Sequence, residues 1–454
     1  MSRPKVPVHI RQTSSILNEY DVLLDETAIK QLNIPTNRQL VLQFGSSKTI
    51  IKVISHAKKQ INFSRPLATK LSLQQGMNLR INYSPELNQL TIGPLIAVLM
   101  SRYYGNPAQP FASNTAFCQE LTEAGKQQGA FVYFLTPNQI DTNQPVLDGW
   151  CCHGKWKRMS FPYPDIIYNR LTSRRYERLN SVKQLFNHVK NRHRGYVFNE
   201  RYLNKSEVFE ALKKDRSLQP YLPATDVFRS YQILRNMCQK YPNVFLKPIT
   251  GSLGKGIIKI SRQPNGAYIC HFSSAGGTKK VSYSSISKLF QAISGKMKAQ
   301  RYQIQQGLTL IASQGRPIDF RALVQKGLQG EWKVTSIVAR IAGSQHFVSN
   351  LARGGQLSTV KAALVRAKFP SSRRGKIALN LRKAALHIAQ GIETHVKEHF
   401  GELGIDLAVD RRGKVWLLEV NSKPSKNDDT SFIQGKIRPS ALKVVQYARF
   451  LTKL

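Results

Sequence analysis

The chain has 454 residues, 41% of them hydrophobic, with 68 Lys and Arg against 26 Asp and Glu and a formal net charge of +42. That length exceeds what one core fills, and the apolar content is that of a globular protein, so a single small domain and wholesale disorder are both excluded. The longest apolar run, Ile92 to Met100, is too short to span a bilayer, and Met1 to Asp21 has no apolar stretch of signal type; a cytoplasmic protein without signal peptide or transmembrane segment is expected.

Residues 1–90 read as a small β-rich, barrel-like domain. Val22-Leu23-Leu24, Gln39 to Phe44, Thr49 to Ile54 and Asn78 to Tyr83 are β-branched or alternating, with turn residues between them. No chemistry is visible there. Residues 91–202 read as an α/β domain with a basic helical linker, begun by Leu90-Thr-Ile-Gly93. Ala116 to Gln128 is periodic as a helix, and Gly129 to Leu135 is an apolar run of strand length. From Arg170 to Arg201 basic residues are dense and interleaved with Tyr168, Tyr176, Phe186, Tyr196 and Phe198. Stacking plus phosphate contact would use such a pattern. A helix with a solvated basic face and a buried aromatic stripe uses it equally, and is the favoured reading. The five cysteines, Cys118, Cys151, Cys152, Cys238 and Cys270, lack the paired spacing of a zinc site and read as reduced thiols.

Residues 203–454 form the third unit. Ser206 to Asp215 and Ala224 to Tyr241 are expected to be helices, followed by strands, a long amphipathic helix from Lys376 to Phe400, and a final hairpin. Within the first strands, Lys247 precedes the loop Gly251-Ser252-Leu-Gly254-Lys255-Gly256, which is followed by Ile-Ile-Lys-Ile. A phosphate-binding P-loop would end in Gly-Lys-Ser/Thr and open a helix. A strand on both sides makes this a hairpin able to close over phosphates, with Lys247 reaching them as a point charge. An ordinary glycine turn is the competing account.

The last hairpin carries Asp406 on one strand and Glu419 and Asn421, two apart, on the other, joined at Asp410-Arg-Arg-Gly413. Three oxygen donors on an otherwise apolar hairpin suit magnesium, which completes its shell with water and phosphate. Between the two motifs lie Asp319-Phe-Arg321, Arg340, and the polar turn Ser349 to Gly355 with Asn350 and Arg353. Arginines on sheet faces suit phosphoryl groups, and surface ion pairs explain single ones equally well.

In order and spacing from Leu222 to Pro424, these segments resemble the ATP-grasp superfamily. Ser349 to Gly355 and the Glu-Val-Asn ending are similar to RimK-type glutamate ligases. The whole chain, including Ile92-Gly-Pro94 and Phe161-Pro-Tyr-Pro-Asp165 through Arg170, looks like the YheC/YheD family of endospore coat-associated proteins. The resemblance implies an α/β (α+β) protein: an ATP-grasp fold of two subdomains around a nucleotide cleft, preceded by a pre-ATP-grasp α/β domain and the small β-barrel-like N-terminal domain. It implies ATP and Mg2+ as cofactors. Lys247 and Lys255 would contact phosphates under the loop Gly251 to Gly256, Ser252 and Gly254 included. Gln305, Gln306, Gly307 and Leu308 would line the adenine pocket. Arg321 and Arg340 would neutralise the triphosphate or an acyl phosphate, Asn350 and Arg353 would face the second substrate, and Asp406, Glu419 and Asn421 would hold magnesium. Gln306 stands where the family often has Glu, and Ser-Lys-Pro-Ser-Lys follows Asn421 in place of the more usual Pro-Gly stretch.

The expected activity is an ATP-dependent carboxylate–amine or carboxylate–thiol ligase working through an acyl phosphate and associated with the spore coat. The alternative is a non-enzymatic ATP-binding coat protein whose basic surface docks on a polyanionic layer. The charge suits an acidic carboxylate substrate or polymer, spore coat proteins or nucleic acid as partners.

Overall fold

The computed structural model of the chain describes residues 4–11, 18, 21–250, 255–274, 277–343, 355–426 and 436–454. Its first seven strands are β1 (Lys5–Arg11), β2 (Asp21–Asp25), β3 (Gln39–Phe44), β4 (Ser47–His56), β5 (Ile61–Ser64), β6 (Asn78–Ser84) and β7 (Gln89–Gly93), with helices α1 (Glu26–Leu32) and α2 (Arg65–Lys70) among them. They close into a barrel in the order β1-β5-β2-β4-β3-β7-β6. Closure leaves no exposed sheet edge, and Phe44, Val53, Phe63, Ile81 and Ile92 fill the interior. Leu90 to Gly93 therefore ends the barrel rather than beginning the next unit. Its alternation buries Leu90 and Ile92 on one face, and β7 pairs with β3 and β6.

The second sheet opens with the continuous apolar run β8 (Leu95–Leu99), buried on both faces as parallel central strands are. Helix α3 (Thr115–Gln128), β9 (Phe131–Leu135), the hairpin β10 (Leu147–His153) and β11 (Lys155–Phe161), and β12 (Ile166–Asn169) follow. Short helices α4 (Arg174–Glu177) and α5 (Asn180–Asn187) lead to β13 (Tyr196–Phe198), and the sheet order is β11-β10-β9-β8-β12-β13. In the basic stretch Tyr168 and Phe198 are buried, Tyr176 and Phe186 are half-buried, and Tyr196 is 42% exposed, so the expected buried stripe holds only in part. Tyr168 and Phe198 lie on neighbouring strands, their rings stacked with centroids 4.9 Å apart.

The third sheet follows α6 (Lys205–Lys213). It comprises β14 (Thr225–Phe228), β15 (Asn243–Pro248), β16 (Ile258–Arg262), β17 (Tyr268–Ser274), β18 (Gly277–Tyr283) and β19 (Tyr302–Gln306), in the order β14-β19-β15-β16-β17-β18. Helices α7 (Tyr231–Lys240) and α8 (Ile286–Ala299) cover one face, where Leu234, Leu246, Ile260, Leu289 and Ile304 form a core. The single helix expected over Ala224 to Tyr241 is corrected here. Thr225–Phe228 pairs with β19, and α7 starts only after Ser230, whose side chain accepts from the Ile233 N–H. The β-branched and aromatic residues ahead of a Ser cap account for the split.

The fourth sheet runs β23 (Gln356–Thr359), β22 (Trp332–Ile341), β21 (Arg316–Lys326), β24 (Glu402–Val409), β25 (Val415–Asn421), with β20 (Ala312–Ser313) beside β21. Helices α9 (Val360–Arg366) and α10 (Ser371–His395) pack on one face. Helix α10 begins directly after Pro370 and ends at His395, where Val396 turns extended, so it lies earlier than the expected Lys376 to Phe400. A closing helix, α11 (Pro439–Thr452), was not legible as such. It returns to pack on α3, and Arg438 before it grips the Glu120 carboxylate, Nη2 to Oε2 2.6 Å.

The second and fourth sheets are locked together at Glu402, which is fully buried. Its carboxylate accepts from the Tyr168 hydroxyl at 2.5 Å, from Arg170 at 3.1 Å and from Gln325 at 3.0 Å, and Lys426 pairs with it as well. These cations hold its pKa below the usual glutamate value despite burial. The five cysteines are unbridged and buried. No helix among the described residues is long and apolar enough to cross a membrane.

Candidate nucleotide and metal site

Strand alternation sets the polar face of the third sheet. Leu246, Tyr302 and Ile304 point into the core, so Lys247, Gln303 and Gln305 point the other way. Lys247 and Gln303 are direct cross-strand partners, and the Lys247 Nζ donates to Gln305 Oε1 at 2.5 Å. Gln305 in turn donates to Thr225 Oγ1 at 3.0 Å. Burial pushes the Lys247 ammonium down to about 8, and Glu419, Asp406 and Asp319 of the fourth sheet pull it upward. The two polar faces therefore look at each other across a cleft.

On the fourth sheet, Phe320, Ile405, Leu407 and Leu417 pack under α10, while Asp319, Arg321, Arg340 and Asp406 occupy the opposite face. Arg340 binds Asp319 through two donors, at 2.6 and 3.0 Å, and reaches Asp406 Oδ2 at 3.1 Å. Arg321 forks onto both oxygens of Asp406, the Nη2 contact being 3.2 Å. Burial alone would raise the Asp406 pKa. The two guanidiniums reverse that and hold it at about 2, so it is ionised at any physiological pH. The arginines expected to neutralise phosphate are thus already engaged with carboxylates.

Glu419 is the direct cross-strand partner of Asp406. A one-residue bulge makes this possible. Leu407 faces Leu417 while Asp406 faces Glu419, so Leu418 is the extra residue and Glu419 turns to the polar face. Bulges re-aim side chains in this way beside functional sites. The Glu419 carboxylate accepts from Lys205 Nζ at 2.9 Å. Asn421 continues the same face opposite Gly404.

The cleft thus brings together Lys247, Gln305, Arg321, Arg340, Asp406, Glu419 and Asn421. Gln306 and Gly307 lie where β19 leaves the third sheet: the Gln306 amide donates to Ala224 O and that of Gly307 to Asn243 O, each at 2.8 Å. A Cβ on Gly307 would stand 2.6 Å from that of Asn243, so only glycine lets the chain pass. Leu308 follows at once. Lys255 is exposed and Gly256 has φ +71°, its carbonyl accepting from the Tyr302 hydroxyl at 3.3 Å. Gly251, Ser252, Gly254, Asn350 and Arg353 lie outside the described residues.

Two participants were not among the expected site residues. Lys205 opens α6, far from Glu419 in sequence, and nothing local marks it. Gln303 is fully buried with both amide atoms lacking a hydrogen-bond partner. The alternation Tyr302-Gln303-Ile304-Gln305 could have flagged it as facing the cleft with Gln305. A buried orphan amide is costly unless something else partners it.

The donors fit a magnesium nucleotide. Asp406, Glu419 and Asn421 offer only hard oxygens or an amide oxygen, as Mg2+ prefers. Gln303 offers a donor and an acceptor awaiting partners. Among the described residues no cluster of three His, Cys, Asp or Glu side chains forms a self-contained metal cage, and a Mg2+ held partly by phosphates needs none.

The family model described as YheC/D-like ATP-grasp matches residues 194–451. The chain is 28% identical over 341 residues to the endospore coat-associated protein YheD of Bacillus subtilis (strain 168), covering 74% of this chain and 74% of that protein. To the endospore coat-associated protein YheC of the same organism it is 23% identical over 317 residues, 68% of this chain and 85% of that one. Among solved structures, D-cycloserine synthetase DcsG superposes with a TM-score of 0.47 at 11% identity, over 78% of this chain and 99% of that chain.

Proposed function

The chain belongs to the YheC/D-like ATP-grasp family, and from that premise we propose that it binds Mg-ATP between its third and fourth sheets and joins a carboxylate to an amine or thiol. One observation carries the reading: Lys247, beside the orphan amide of Gln303, faces Asp319, Asp406 and Glu419 across a single cleft. Asp406, Glu419 and Asn421 would hold Mg2+, which when bound supplies Lewis-acid neutralisation of phosphoryl oxygens.

The chain's own residues do the rest. Gln303 and Gln305 orient the nucleotide by hydrogen bonds. Lys247 places a positive charge against its phosphates. Arg321 and Arg340 keep Asp406 ionised and fixed, so it needs no reorganisation. Lys205 fixes the Glu419 carboxylate from outside. Gly256, at the base of the glycine loop and next to Lys255 in the chain, lies beside Pro248 and Tyr302 at the end of β15 and the start of β19. In the reaction a substrate carboxylate oxygen takes the γ-phosphoryl group, and the amine or thiol then displaces phosphate; the work is positioning and charge neutralisation. The basic chain favours an acidic substrate.

The engagement of Arg321 and Arg340 with Asp319 and Asp406 favours a second reading, in which the nucleotide is bound without turnover. Both readings take the spore coat as their setting, the description that the two relatives carry. Calorimetry of ATP with and without Mg2+, on the wild type and Glu419→Ala, tests the site; binding that needs Mg2+ and is lost in the variant supports it. Release of ADP on adding acidic acceptors separates ligase from non-enzymatic binder. No binding by the wild type would refute both.

A further inference from the structure

Away from the cleft, the fourth sheet carries a surface whose charge is one-sided. Between Glu331 and Glu393 the chain contains no Asp or Glu at all. That stretch includes α9 and α10 as far as Ile392, and the two helices cover the sheet face opposite Asp406 and Glu419. On α9, Lys361 and Val365 are exposed one turn apart, Lys368 is exposed just beyond the helix, and on α10 the exposed stripe is Lys376, Leu379 and Lys383. A lone helix face of this kind would be ordinary solvated surface. Here it ends in a cavity of about 310 Å³ at the α9–α10 junction.

The cavity has an apolar floor, with Ile311 and Phe369, and a rim of Lys368, Arg373 and Arg411. Among the described residues no acidic side chain lines it. The one acid of the adjoining turn, Asp410, is turned away: it accepts from the Arg412 and Lys414 amides and the Trp416 indole. Arg373 lies over the buried Phe369 ring and donates to Arg412 O, which fixes its guanidinium at the rim. Among the described residues the three cations have no carboxylate beside them in the pocket, so ligand carboxylates suit the rim and an aliphatic group suits Ile311 and Phe369 beneath it.

We propose that this face docks an acidic peptide segment of a partner protein, with carboxylates on Lys368, Arg373 and Arg411 and an aliphatic side chain in the cavity. Nucleic acid is the rival polyanion, and the surface does not suit it. Its exposed large side chains, Val365 and Leu379, are aliphatic, and Phe369 is buried, so bases find no stacking platform. The proposal is independent of the nucleotide site, since the two lie on opposite faces of the same sheet.

The test is fluorescence anisotropy of the full chain with a labelled peptide of Glu-Leu-Glu-Ser repeats and, separately, a labelled single-stranded oligodeoxynucleotide of equal net charge. Lys368→Glu with Arg411→Glu should weaken the peptide complex about tenfold or more. The same charge change in the barrel, Lys58→Glu with Lys59→Glu, should weaken it about twofold or less. If thermal melting shows the first pair misfolded, Lys376→Glu with Lys383→Glu on the exposed stripe replaces it under the same criterion. No peptide binding, equal weakening by both pairs, or tighter oligonucleotide binding lost in the same variants would each overturn the proposal.

Discussion

At pH 8 the Lys247 side chain, pushed down to about 8 from the usual 10.5, is about half deprotonated before any nucleotide arrives. The carboxylates opposite it are largely spent on Arg321, Arg340 and Lys205. A phosphate charge brought to ~4 Å is worth roughly 4 kcal/mol at an effective dielectric near 20, or about three pK units. Binding should therefore protonate Lys247 completely. The expected uptake is about 0.1 proton at pH 7, about 0.5 at pH 8 and about 0.9 at pH 9. Asp406, held at about 2, neither takes up nor releases a proton when Mg2+ binds. Calorimetry of Mg-ATP binding in two buffers of different ionisation enthalpy reads this uptake directly. Lys247→Arg keeps the charge and has no titratable proton, so its uptake should vanish while binding persists. Binding without uptake at pH 8, or uptake unchanged in Lys247→Arg, would refute the assignment of Lys247 to the phosphates. The same depressed pKa predicts that this residue's contribution to stability rises with pH between about 8 and 10.5, because there the unfolded chain binds more protons.

Asp406→Asn and Glu419→Gln should part company. The first leaves two buried guanidiniums under-neutralised and should cost about 3–5 kcal/mol in urea unfolding. The second removes a partly exposed pair, should cost under about 1 kcal/mol, and should still abolish Mg-dependent ATP binding. Glu402 and Asp406 both have pKa values depressed by buried cations, so their stabilisation is complete above the ordinary carboxylate range and is lost as pH falls through the lowered values. Acid unfolding followed by circular dichroism should consequently begin only below about pH 4.5, and Glu402→Gln should shift that profile while lowering stability at neutral pH. Gly307→Ala places a methyl 2.6 Å from the Asn243 Cβ and should cost about 1–3 kcal/mol, with a matching loss of ATP affinity if β19 borders the nucleotide.

Much of the site was legible because strand alternation is local. Asp319-Phe-Arg321 and Glu419-Val-Asn421 announce shared faces by a spacing of two, and the glycine hairpin declares itself by strands on both sides. The barrel strands and α3 were readable for the same reason, since their periodicity reports one-sided burial. What periodicity cannot report is partnership. The chain between Ala224 and Tyr241 looks helical throughout until β19 takes Thr225–Phe228 as an edge strand. Arg321 and Arg340 look available in sequence, and only the register of β21 with β22 and β24 reveals that they neutralise Asp319 and Asp406. The bulge at Leu418 and the reach of Lys205 to Glu419 likewise depend on contacts between segments far apart in the chain. The sequence by itself determined which side chains share a strand face, because that depends on backbone geometry. Tertiary structure decided which charges remain for a ligand, because a pKa and an ion pair belong to the neighbours a side chain meets.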